Sequence, residues 1–105
     1  MNFDDYQAAA ARTINDNTSI RDDLANFALG LAGEAGEVTE PIKKHLFHGK
    51  PLDTNKLAAE LGDVIWYIAA ICETLGLSLN AIAADNVAKL EARYPAGFVK
   101  GGGSR

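Results

Sequence analysis

A single cysteine, Cys72, excludes an internal disulfide in this 105-residue chain. Lying in an apolar run, it reads as a small buried core residue in a reducing compartment. A basic excess is lacking too: ten Lys and Arg face fourteen Asp and Glu, giving a formal charge of −4 and a pI near 5.0. A nucleic-acid polymer as partner is thereby disfavoured, because a phosphate backbone demands a basic face. No apolar run is long and clean enough for a membrane span of about 20 residues; the most apolar region, from Leu57 to Leu77, carries Glu60, Asp63 and Glu73. Met1 to Tyr6 is polar and acidic, so no signal peptide is expected and the expected location is the cytoplasm. Stretches of alternating β-branched residues are missing as well.

What is present suffices for one small folding unit. Apolar residues make up 48% of the chain, too many for intrinsic disorder. A domain this small buries a modest share of its surface, so association of subunits would help it. The Gly-rich piece 101–105 cannot bury anything, and the expected organisation is a helical domain over 1–98 followed by a disordered tail over 99–105.

Four helices are expected. The first runs from about Phe3 to Ile14 and is followed by the polar break Asn15 to Ser19. The second starts near Arg21 or Asp22, with acids in its first turn. Pro41 has no N–H for the carbonyl of Glu37, so this helix is expected to kink or restart there before the turn at His48–Pro51. Asp53 can cap a third helix from Thr54 to Thr74, stopped by Gly76, and Ser78 a fourth running to about Arg93, with Pro95 just beyond. Short connections favour antiparallel neighbours, hence an all-α bundle.

The informative feature is where the acids sit. Between Leu24 and Val38 the only charged residues are Glu34 and Glu37; between Leu57 and Cys72 they are Glu60 and Asp63. Helices apolar on nearly every side are normally surrounded by protein, and an unpartnered carboxylate there is costly. Each pair is spaced i, i+3, one helical turn apart on one face. Two such helices side by side would gather four carboxylates, a concentration that cations must neutralise. All-oxygen donors select hard cations, magnesium first and manganese second. Gly30, Gly33, Gly36 and Gly62 lie among these acids. Each costs a helix about 1 kcal/mol relative to alanine, which points to close approach of backbones or of a ligand.

Asn86, Lys89 and Arg93 share a face of the fourth helix and could grip phosphate oxygens, although a basic stripe near a helix C-terminus is more often solvated. Lys43, Lys44 and Lys50 form a second cluster with the same ambiguity. Trp66 or Tyr67 could stack a base, though core packing is the commoner fate of such aromatics. His45 and His48 fit a surface or a turn better than a hard-metal site.

Leu31-Ala32-Gly33-Glu34-Ala35-Gly36-Glu37, followed by Glu60-Leu61-Gly62-Asp63, resembles the E-x-x-E…E-x-x-D signature of the MazG-like family, the all-α nucleotide pyrophosphohydrolases. Asp5-Tyr6-Gln7, Lys43-Lys44-His45, His48-Gly49-Lys50 and Asn86…Lys89-Leu90…Arg93-Tyr94-Pro95 also look like that family, so the resemblance covers Phe3 to Phe98. Members with a longer acidic motif carry a further Glu where this chain has Gly33. The resemblance implies a helical homodimer or homotetramer that cleaves a nucleoside or deoxynucleoside triphosphate to the monophosphate and pyrophosphate, a reaction suited to nucleotide-pool cleaning. Glu34, Glu37, Glu60 and Asp63 would then hold magnesium, and Asn86, Lys89, Arg93, Tyr94 and Trp66 would contact substrate. Glu34 is the expected general base. The alternative is a non-catalytic nucleotide-binding or helical interaction module. A carboxylate-bridged di-iron bundle fits poorly, since neither histidine lies three residues after a glutamate.

Overall fold

The computed structural model describes residues 1–98; the expected disordered tail, 99–105, lies outside the described residues. Four helices make up the fold: α1 (Phe3–Ala11), α2 (Ile20–His48), α3 (Thr54–Leu75) and α4 (Leu79–Arg93). Among the described residues there is no strand, and no helix is by itself long and apolar enough to cross a membrane.

Local chemistry sets the boundaries. Side chains of Asn2, Ser19, Asp53 and Ser78 each accept a backbone N–H of the first turn, so all four helices begin on a cap. Gly49 and Gly76 end α2 and α3 in the left-handed region, at φ 67° and 69°, where a side chain would be strained. α1 stops at Ala11, short of the expected Ile14. The Thr13 hydroxyl takes the carbonyl of Ala10 (2.7 Å) and accepts from the Trp66 indole (2.8 Å), which turns the chain into a tighter coil. α2 does not restart at Pro41: it is one helix of 29 residues, and the missing Pro41 N–H is absorbed within it.

α2 and α3 form a long antiparallel hairpin closed by residues 49–53. The chain then bends by 108° into α4, which packs against α1 and α3 and makes no contact with α2. Gln7 fastens this corner: its amide donates to Leu77 O (2.8 Å) and Glu73 (3.1 Å), and its oxygen accepts from Leu79 N (2.8 Å). The core sits where α1, α3 and α4 meet. It consists of Ala10, Ala69, Cys72 and Leu79, with Tyr6, Trp66 and Ile68 against it. Cys72 is buried, as its apolar surroundings imply.

Little else is enclosed. Phe47 is 79% exposed and Leu29 74%. The radius of gyration is 16.9 Å, against about 13 Å for an ordinary domain of this length. The bundle is open, with much apolar surface left uncovered.

Candidate metal and phosphate site

The register of the α2–α3 hairpin decides which side chains meet. Phe27 lies edge-on to Trp66, with ring centroids 5.7 Å apart. One turn along α2, Gly30 faces the Tyr67 ring so closely that a Cβ there would overlap it. A further turn brings Glu34 opposite Glu60 and Asp63. Close approach therefore explains Gly30 alone: a Cβ on Gly33, Gly36 or Gly62 would meet nothing within 4 Å.

Glu34, Glu60 and Asp63 each offer a carboxylate oxygen within 4.8 Å of the others. Glu34 and Glu60 are half-buried and Asp63 is exposed. Oε2 of Glu34 is shut off from solvent and has no hydrogen-bond partner. The Glu34 pKa is pushed up to about 7, first by proton sharing with Glu60, then by loss of solvent, then by the charges of Glu60, Asp63 and Glu37. Such a group carries surplus negative charge, and Oε2 of Glu34 is left without a partner. All-oxygen donors of this kind fit a hard divalent cation. Glu37 lies close enough to repel Glu34 but stands outside the trio.

The two ends of this seam differ. Toward Trp66 it is sealed by the aromatic pair Trp66–Tyr67 (centroids 5.1 Å) and by the Gly30–Tyr67 contact. Toward the hairpin turn it opens into a cleft of about 330 Å³, lined among others by Glu37, Lys44, Lys50, Lys56 and Glu60.

Other expected site residues are placed elsewhere. Trp66 donates to Thr13 and packs on the core. Asn86 and Lys89 are exposed on α4, and Arg93 and Tyr94 half-buried at its end. Their helix packs on α1 and α3 and makes no backbone contact with α2, which carries Glu34. Two groups near the acids escaped sequence reasoning as site residues. Tyr6, reaching in from α1, has its phenol pKa raised by burial and then by the charge of Asp63. Lys56 lies one turn before Glu60 on α3, a spacing that could have flagged it.

The four-helix, all-α fold thus carries on one hairpin an acidic trio with the donor set of a hard-cation site. The chain belongs to the MazG nucleotide pyrophosphohydrolase domain family, which it matches over residues 23–98. It is also similar to "Gene 37 protein" of Mycobacterium phage L5, 37% identical over 112 residues that span 98% of this chain and 97% of the relative. No solved structure matches it.

Proposed function

We propose that this chain is a magnesium-dependent hydrolase that cleaves nucleoside or deoxynucleoside triphosphates to the monophosphate and pyrophosphate. The observation that carries this reading is the carboxylate trio with its orphaned Glu34 oxygen, set in a chain of the MazG family. Glu34, Glu60 and Asp63 hold the ion, with Glu37 one turn away on α2 as a further ligand. Magnesium, or manganese in its place, would supply positive charge against the triphosphate and lower the pKa of a bound water. Glu34, where the ion does not fully engage its carboxylate, takes the proton of the attacking water. Water oxygen joins the α phosphorus, the bond to the α–β bridging oxygen breaks, and that oxygen leaves on pyrophosphate with the electron pair.

Asn86, Lys89, Arg93 and Tyr94 serve substrate binding in a homodimer or homotetramer, where a second copy's α4 approaches the seam. Support comes from the uncovered apolar side chains of α2 and α3, among them Leu29, Leu61 and Ile65. Trp66 acts from the sealed end of the seam, holding Tyr67 and thereby the spacing of α2 and α3.

A panel of ribo- and deoxyribonucleoside triphosphates with magnesium, with pyrophosphate and orthophosphate followed separately, tests the reading. Pyrophosphate with monophosphate, abolished by chelator, is the expected result. Orthophosphate would overturn the bond assignment, and no turnover on any nucleotide would favour a binding module.

A further inference from the structure

We propose that the cleft at the hairpin turn is a pyrophosphate site: it seats the β- and γ-phosphates of the substrate between Lys50 and Lys56 and is where inorganic pyrophosphate is released. The inference rests on the reading that the chain cuts between the α and β phosphates.

The geometry of the seam gives the direction. Beyond the trio in one direction, Tyr67 against Gly30 leaves no room. In the other, the walls open into the 330 Å³ cleft, and Glu37 and Glu60 stand at its acidic end. Along the seam, the cleft is the open direction for a phosphate chain anchored at the acids.

The charges of the cleft are sorted to suit an anion. Four carboxylates line it, and two of them are matched within the cleft. Asp53 caps α3 by accepting from Lys56 N (3.1 Å), Glu40 pairs with Lys44 (3.6 Å), and Glu37 and Glu60 belong to the metal seam. Among the described residues, Lys50 and Lys56 have no carboxylate within ion-pairing distance. The first turn of α3, a 22-residue helix, adds the positive end of its dipole at the same place. The backbone of Lys50 is held in place at the turn. Gly49 turns the chain in the left-handed region, and Lys50 O bonds His45 Nδ1 at 2.8 Å. His45 is thus a positioning residue for Lys50.

Calorimetric titration of the full chain with inorganic pyrophosphate in magnesium buffer tests this, with a nucleoside monophosphate as the second probe. Replacing both lysines, Lys50→Ala with Lys56→Ala, should weaken pyrophosphate about tenfold or more. Monophosphate affinity should change by less than about twofold. Lys50→Arg should keep pyrophosphate binding, and His45→Ala should weaken it partially. Circular dichroism checks that the helices persist. Unchanged pyrophosphate affinity in the double variant, equal weakening of both probes, or no pyrophosphate binding by the unaltered chain would each overturn the proposal. If the lysine-dependent pyrophosphate site is found but no triphosphate is cleaved, the site stands and the reaction reading fails.

Discussion

The two halves of this molecule handle polar groups in opposite ways. In the corner built by α1, α3 and α4, Gln7 satisfies both of its amide atoms, Ser78 donates to Asp4 (3.3 Å), and the small core of Ala10, Ala69, Cys72 and Leu79 closes beneath them. In the α2–α3 seam, three carboxylates converge and one oxygen of Glu34 is left with nothing. The corner is finished by its own side chains, whereas the seam needs something added. Polar groups are thus satisfied in one half and left open in the other, with α3 contributing to both.

The sharpest way to break the contrast is in the seam. Glu60→Gln or Asp63→Asn should reduce triphosphate turnover by roughly 10³-fold. The metal-free protein should melt no lower than the parent, because each change relieves repulsion. A thermal melt beside a steady-state assay checks both, and a variant that loses activity only by unfolding would contradict the separation.

Next in size, Gly30→Ala should cost about 1–3 kcal/mol, since the methyl overlaps the Tyr67 ring and must push α2 from α3. Gly33→Ala is the paired control. It faces open space and should be neutral or stabilising by up to ~1 kcal/mol in denaturant melts.

In the corner, Gln7→Ala leaves Leu79 N and Leu77 O without their partner and should cost about 1–2 kcal/mol. Magnesium affinity should stay unchanged, as calorimetry would show.

The smallest effect expected is on pH. Glu34 is raised from its ordinary 4.5 to about 7 in the folded chain, so folding takes up a proton between those values. Stability of the metal-free protein is therefore fully present below about pH 4.5 as far as this group is concerned, and it declines as pH rises toward 7. Magnesium, which competes with that proton, should bind more tightly over the same rise and flatten the decline. Melting temperatures across this range, with and without magnesium, check the sign.

Much of this could be read from local chemistry. Asp53, Ser78, Gly76 and the i, i+3 acids act within one turn of themselves, so helix limits and the pairing of Glu60 with Asp63 follow from sequence spacing. Features that depend on register between helices could not. Gly30 and Gly33 look alike along the chain, and only the hairpin puts Tyr67 against the first. Glu37 shares a face with Glu34, yet the side chains opposite it bring Glu34 alone into the trio. Likewise the 108° turn after α3 carries Lys89 and Arg93 away from α2, a consequence of the Leu75–Leu79 corner that their own helical spacing does not contain. Pro41 does not end the helix as a restart would require: one lost hydrogen bond does not interrupt a helix whose neighbouring turns keep theirs.

Manganese titrated into the protein at pH 8, followed by electron paramagnetic resonance of the free ion, tests most directly whether the α2–α3 seam alone forms the cation site. The account predicts binding by the unaltered chain, loss of it in Glu60→Gln, and retention in the Lys89→Ala, Arg93→Ala double variant. Failure of the unaltered chain to bind, or binding untouched by Glu60→Gln, would contradict it.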